Sequence, residues 1–134
     1  MLSAKYVGGQ LVEVSPYAPI DPLPGEVQIQ VFFTGLCGTD LHIVHGNMDK
    51  RVKANLTFGH EMSGVVAKVG SSVTKFSPGD HVTVMPLDWD NTCPACLAGH
   101  NHICQNLNFV GIDSPGSLQS LWNVKENWIF KLPP

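Results

Sequence analysis

The most regular pattern of apolar and polar positions covers residues 26–33. Polar and apolar side chains alternate there almost strictly, which predicts a strand with one buried face. The apolar positions of that face are Val27, Ile29, Val31 and Phe33. Shorter runs of the same type cover residues 63–69, 81–85, 109–112 and 118–124, with a further pair around Tyr6 and Val12. The pattern therefore predicts a chain built mainly from short strands.

The segments between these strands are rich in turn residues, with 13 Gly and 10 Pro in 134 residues. In the segment 77–80, Ser-Pro-Gly-Asp, proline and glycine occupy the central positions that a type II turn favours. Only the segment 39–44 has a helical pattern, with Thr39 as a possible N-cap and Gly46 just past its end. Asp40 would then lie near the positive end of the helix dipole. We expect a mainly β barrel or sandwich with one or two short helices.

Composition and charge narrow the class of protein. Apolar residues make up 43% and charged residues 14% of the chain, which is typical of a globular domain, and the length suits one domain over residues 1–134. The net charge is −3, and only Lys50, Arg51 and Lys53 form a basic group, so we expect neither a nucleic-acid nor a membrane surface. No segment is typical of a signal peptide or a membrane span, which favours a soluble, cytoplasmic protein.

Three of the four cysteines lie close together, at Cys93, Cys96 and Cys104. Two thiols separated by two residues are a common chelate for tetrahedral zinc, and the third brings the set within one ligand of a closed site. Two other interpretations stay open. The thiols could be free, or Cys93 and Cys96 could form a redox-active pair.

A second set of possible zinc ligands consists of Cys37 and the neighbours His60 and Glu61. Cys37 ends the long predicted strand, just before the predicted helix. Thr39 and His42 stand three residues apart, so on a helix they share a face and could pass a proton outward. Nothing in the spacing brings residue 37 to residue 60, and a buried cysteine with a solvated His-Glu pair would explain the same residues.

Three motifs in order carry a resemblance to a known family. They are Gly35-Leu-Cys-Gly-Thr-Asp-Leu-His42, Gly59-His-Glu-Met-Ser-Gly-Val-Val66 and Gly79-Asp-His-Val82. Together they closely resemble the zinc-dependent medium-chain alcohol and polyol dehydrogenases, and the sorbitol and threonine dehydrogenase branch is the nearest likeness. The resemblance runs from about residue 27 to residue 132, nearly the whole chain.

The resemblance implies a GroES-like β-barrel in which Cys37 and His60 bind a catalytic zinc ion. Glu61 would be a third ligand or a near neighbour of the metal. Thr39 would hydrogen-bond the substrate hydroxyl, and His42 would continue a proton relay. The family often has Arg or His directly after the cysteine, in contact with cofactor phosphate, but this chain has a glycine there.

The family also carries a lobe with a structural zinc ion, which falls on residues of about 88–106. Counting back from Cys104, its last three cysteines fall on the three clustered cysteines, and its first falls on Asp90. A carboxylate is an acceptable zinc ligand, so we expect a site made of Asp90, Cys93, Cys96 and Cys104. His100 or His102 could replace Asp90 as the fourth ligand.

The activity that the resemblance implies is zinc-assisted hydride transfer from a small alcohol or polyol to NAD or NADP. The Rossmann domain that binds the cofactor in this family is absent from this chain, and no Gly-x-Gly-x-x-Gly fingerprint occurs in it. We therefore expect a fragment that folds and binds zinc but oxidises no alcohol, from an enzyme that forms homo-oligomers. The alternatives are a zinc-ribbon-like binding module and a GroES-like, chaperonin-type protein.

Overall fold

The structure is a computed structural model that describes residues 1–133, and it confirms the mainly β prediction. The strands are β1 (Leu2–Gly8), β2 (Leu11–Pro16), β3 (Glu26–Gly35), β4 (Leu56–Thr57), β5 (Glu61–Val69), β6 (His81–Val84), β7 (Leu87–Asp88), β8 (Asn108–Phe109), β9 (Leu121–Lys125) and β10 (Ile129–Lys131). The helices are α1 (Gly38–Val44) and α2 (Pro94–Leu97), with 3₁₀ turns at Asn101–Ile103 and Glu126–Trp128. No helix within residues 1–133 is long and apolar enough to cross a membrane.

The strands form three antiparallel sheets. The largest has the order β10-β6-β5-β3-β9, the second has the order β2-β1-β4, and β7 pairs with β8. Backbone bonds from residues 118–120 join the two larger sheets, because Ser120 N–H donates to Leu2 and Val31 N–H donates to Ser120. The sheets enclose the core without closing into one continuous hydrogen-bonded barrel among the described strands.

Two apolar clusters fill the interior. The larger packs against the five-stranded sheet and contains Val27, Ile29, Met62, Val66, Phe76, Val82, Val84, Val110, Trp122, Val124, Trp128 and Ile129. The smaller contains Tyr6, Ile43, Val52, Leu56, Phe58 and Ile112. Because Ile43 is the buried residue of α1 on this second cluster, apolar packing anchors the helix beside the ends of β3 and β5.

The predicted buried face of β3 is present at Val27 and Ile29 and lost at Phe33, and the polar Gln28 is buried as well, at 3% exposed. Val27 and Ile29 are fully buried, whereas Phe33 is 74% exposed, so its predicted place on the buried face is wrong. The pairing with β5 shifts between Val31 and Phe33, where an extra residue interrupts the ladder. Since side chains alternate with a period of two, one extra residue reverses the face of every later side chain.

The helix α1 begins one residue earlier than the pattern predicts. Its N-cap is Cys37, and Thr39 lies inside the first turn, so the prediction of Thr39 as N-cap is wrong. Asp40 Oδ2 accepts the Cys37 backbone N–H at 3.0 Å, the bond that the third helical residue makes in a capping box. The side chain of Asp40 therefore orders the chain where β3 passes into the helix.

Candidate metal centres

The structure brings together Cys37, His60 and Glu61, which the sequence spacing could not do. The antiparallel pairing of β3 with β5 places Gly35 opposite Glu61, so the end of one strand lies beside the start of the other. Cys37 Sγ lies 3.1 Å from His60 Nε2, and one ligand atom from each of the three residues lies within 4.8 Å of the others. The three predicted ligands therefore form one group.

The donor set of this group fits zinc. A tetrahedral zinc ion with ordinary bond lengths holds a thiolate sulfur and an imidazole nitrogen about 3.5 Å apart, close to the separation of Cys37 Sγ and His60 Nε2. His60 is buried, Cys37 is half-buried and Glu61 is exposed, so the group is partly covered by protein and partly open. A group that is only partly covered leaves room for an exchangeable ligand such as water or substrate, as catalytic zinc sites require.

Asp40 is the residue of this site that sequence reasoning missed. It is 1% exposed, and Asp40 Oδ1 lies 3.7 Å from His60 Nδ1. These two atoms are buried without a hydrogen-bond partner within residues 1–133. If His60 Nε2 binds a metal, the ring proton must be on Nδ1, directed at the carboxylate. The carboxylate thus faces both ligands, accepting from Cys37 N–H with one oxygen and facing His60 with the other.

Glycines let the backbone pack closely behind His60. Gly59 has a φ of +93°, a conformation that side chains other than glycine rarely adopt. The loop at Gly116 lies against it, and a Cβ atom at Gly116 would be 2.0 Å from the Gly59 carbonyl oxygen. The ring of Phe109 meets the His60 ring edge-on, with centroids 5.1 Å apart. These contacts fix the direction of the imidazole.

We expect Gly116→Ala to destabilise the domain by about 1–3 kcal/mol, because the new methyl group must displace backbone rather than a flexible side chain. Urea denaturation followed by circular dichroism measures the change. The matched control is Gly25→Ala, since a Cβ atom at Gly25 meets nothing within 4 Å. Equal stability of the two variants would show that the close approach to Gly59 does not constrain the fold.

The two predicted proton-relay residues both lie on α1. Thr39 is half-buried in the first turn, two residues after Cys37. His42 is exposed, and His42 Nδ1 lies 3.3 Å from Asn47 Nδ2. The positions suit a path from the site to solvent, and the relay itself stays a prediction.

The second predicted group also assembles, in the lobe between β7 and β8. One ligand atom from each of its members lies within 4.8 Å of the others, and the members are Asp90, Cys93, Cys96 and Cys104. The sulfurs of Cys93 and Cys104 are 3.9 Å apart, close to the separation of about 3.8 Å in tetrahedral zinc sites. None of the four cysteines forms a disulfide. His100 and His102 stack edge-on with each other, are exposed, and lie outside the group.

The Asp90 carboxylate lies among hydrogen-bond donors. Donation from the Cys93 backbone N–H, then from the Asn106 amide and from the Thr92 backbone N–H, holds the pKa of Asp90 far below its usual range. Asp90 is therefore ionised throughout the neutral range, which is the form that binds a cation.

Two thiols of the lobe, those of Cys93 and Cys96, differ in acidity. Backbone N–H groups of Cys96 and Gln105 lower the pKa of Cys93. Burial, together with hydrogen bonding to Cys93 and Cys104, raises the pKa of Cys96 to about 12. Three thiolates and a carboxylate packed together repel one another unless a cation lies between them, so full ionisation of this group needs a metal.

Comparison with known families points to one class of domain. The alcohol dehydrogenase GroES-like domain matches residues 23–134, which is most of the chain. That match includes both candidate metal centres.

Individual relatives agree with this match. The chain is 51% identical over 133 residues to 2-dehydro-3-deoxy-L-galactonate 5-dehydrogenase of Pseudoalteromonas atlantica, covering 99% of this chain and 39% of the relative. It is 39% identical over 128 residues to L-threonine 3-dehydrogenase of Pyrococcus horikoshii, covering 94% and 36%. An Escherichia coli alcohol dehydrogenase in complex with NADH superposes with a TM-score of 0.90 at 27% identity, covering 99% and 38%. The chain thus spans well under half the length of these relatives.

Proposed function

Because this chain belongs to the alcohol dehydrogenase GroES-like domain family, we propose that it is the catalytic, zinc-binding domain of an NAD(P)-dependent alcohol or polyol dehydrogenase. The observation that carries the proposal is the group of Cys37, His60 and Glu61, backed by the buried carboxylate of Asp40. Neither a zinc-ribbon module nor a chaperonin-type lid needs such a group, because both act through surfaces.

Each residue of the group has a separate task in this proposal. Cys37 and His60 hold a zinc ion. Glu61 is either a third ligand, which substrate can displace, or a near neighbour of the metal. Bound zinc supplies Lewis acidity, which lowers the pKa of an alcohol hydroxyl towards neutrality. Thr39 accepts a hydrogen bond from that hydroxyl and takes up its proton while releasing its own hydroxyl proton, which the exposed His42 accepts and passes to solvent.

The hydride acceptor binds outside this chain. The relatives are more than twice as long, and we propose that the remaining part of the protein is a Rossmann domain that binds NAD or NADP. Position 38 is a glycine, where relatives of this family often have an Arg or His that contacts cofactor phosphate, so this chain has no side chain there to make that contact. Cofactor binding is then left to the other domain.

The relatives also suggest the substrate class. One acts on a deoxy sugar acid and one on threonine, and both names describe dehydrogenation of a small, polar molecule. We propose a small polyhydroxylated alcohol or sugar acid as substrate, oxidised at a hydroxyl-bearing carbon. The four cysteines form no disulfide, which suits a reducing compartment, so we place the enzyme in the cytoplasm, as a homo-oligomer in its full-length form.

The experiment that tests this proposal is the zinc content of protein purified without added metal. We expect about two zinc ions per chain, with Cys37→Ser and Cys96→Ser each losing about one, because each variant removes one thiolate from one group. Plasma emission spectrometry gives the content. If Cys37→Ser contained as much zinc as the unmodified chain, the proposal of a catalytic zinc site would be wrong, regardless of the zinc content of the lobe.

The pure chain should show no NAD-dependent oxidation of any polyol, since the hydride has no acceptor site here. The same assay on a protein extended to the length of its relatives should show activity that Cys37→Ser abolishes. Activity lost instead in Cys96→Ser and unaffected by Cys37→Ser would favour a zinc-ribbon-like function.

A further inference from the structure

The lobe contains a side chain that contacts its carboxylate from across the loop. Asn106 Nδ2 donates to Asp90 Oδ2 at 2.6 Å, although the two residues are sixteen positions apart. The backbone N–H of Asn106 also points at Cys104 Sγ, 3.4 Å away. Asn106 therefore touches two members of the metal-binding group without offering a ligand atom of its own to the group.

The donors around Asp90 distinguish its two oxygens. Oδ1 accepts the backbone N–H groups of Thr92 at 2.8 Å and Cys93 at 2.9 Å. A carboxylate oxygen has two lone-pair directions, so Oδ1 is fully used. Oδ2 accepts from the Asn106 amide and has a second lone pair, and the Cys96 thiol also lies within hydrogen-bonding reach of this carboxylate. The second lone pair of Oδ2 is therefore the one that can complete a metal site with the three thiols.

Resting on the proposed lobe metal, we propose that Asn106 is a positioning residue that orients Asp90 so that Oδ2 is the fourth ligand. The ionised carboxylate accepts hydrogen bonds and donates none, so the amide must present its NH₂ group to it. That contact holds the carboxylate in the orientation in which Oδ2 is directed at the metal. The two residues work as a pair, in which Asp90 supplies the ligand and Asn106 fixes its direction.

The pair also sets the kind of metal that the lobe prefers. An oxygen ligand makes the site harder than four thiolates would, and cadmium is favoured by soft sulfur ligands. A cysteine at position 90 would remove both the oxygen ligand and the acceptor of the Asn106 amide. The ratio of cadmium affinity to zinc affinity should therefore be higher in the variant Asp90→Cys than in the unmodified lobe.

The test measures zinc affinity by competition with a chromophoric chelator, in the Cys37→Ser background so that only the lobe binds. Asn106→Ala should raise the zinc Kd about 10- to 100-fold, the usual effect of losing an orienting partner of a metal ligand. Asn106→Asp should weaken binding further, because a like charge then faces Asp90. The matched control is Asn127→Ala, an exposed asparagine outside the lobe.

A double-mutant cycle distinguishes positioning from a general loss of structure. If Asn106 acts through Asp90, Asn106→Ala should have little further effect in a protein that already carries Asp90→Ala. An Asn106→Ala variant with unchanged zinc affinity, beside an Asp90→Ala variant that binds weakly, would overturn the positioning role and leave the lobe site standing. A Cys37→Ser protein that binds no zinc at all would overturn both.

Discussion

Removal of zinc from the lobe is expected to unfold residues 90–106 and leave the five-stranded sheet intact. The helix α2 has four residues and the following 3₁₀ turn has three, and neither contains a buried residue. Leu97 is 75% exposed and Ile103 is 60% exposed, so the apolar side chains of the lobe do not form a core. Helical segments this short are not stable without outside contacts.

On the proposal that the lobe binds zinc, we expect the metal to be the main source of order in this lobe. Structural zinc sites in small domains contribute an apparent binding free energy of about 10–16 kcal/mol near neutral pH, far more than the few hydrogen bonds of the loop. Hydrogen exchange and limited proteolysis, each with and without chelator, measure the loss. We expect cleavage within the lobe to rise by orders of magnitude after chelation or in Cys96→Ser. Cys37→Ser is the control, because its thiol belongs to the other group. A lobe that stays protected after chelation would refute this account.

The strand pattern predicted most of the fold because alternation and turn chemistry are local properties. The expected type II turn is present, with Gly79 at a φ of +97° and Asp80 N–H donating to Ser77 at 3.1 Å. The exposed Phe33 could not be foreseen, since the extra residue in β3 depends on the register with β5 and on no residue of β3 alone. An interruption of this kind is a property of two strands together.

The two metal centres differed in how much of them the sequence could predict. The three cysteines of the lobe lie within residues 93–104, so their spacing indicated a site one ligand short of closure, and the resemblance to a family supplied Asp90. The contact of Cys37 with His60 depends on the pairing of β3 with β5, and before the structure only the resemblance to a family could supply it. No sequence pattern identified Asn106, because its contact with Asp90 forms only in the folded lobe.

Asp40 was within reach of sequence reasoning but was assigned to the helix dipole. An acidic residue three positions after an N-cap is the pattern of a capping box, and here the N-cap is a candidate ligand. The error arose from placing the N-cap at Thr39, which moved Asp40 out of the third helical position. A correct N-cap would have linked the carboxylate to Cys37 directly, although its approach to His60 needed the tertiary structure.

Asp40→Asn is expected to lower the zinc affinity of the first site about 10- to 100-fold with little change in shape. Both groups that face this side chain are donors when zinc is bound, the Cys37 backbone N–H and the His60 Nδ1–H. A carboxylate can accept from both. An amide has one oxygen and one NH₂ group, so in either orientation its NH₂ group faces another donor. Because the position is buried, water cannot accept the unpaired hydrogen.

The measurement is chelator competition in the Cys96→Ser background, which leaves one zinc site, together with nitrogen NMR of the His60 ring. In the unmodified site the ring proton should be on Nδ1, and in Asp40→Asn the spectrum should show loss of that single tautomer. The matched control is Asp49→Asn, because Asp49 accepts a hydrogen bond from the Tyr6 hydroxyl and an amide oxygen can still accept it. Unchanged affinity and an unchanged His60 tautomer in Asp40→Asn would mean that Asp40 caps the helix and does nothing for the metal.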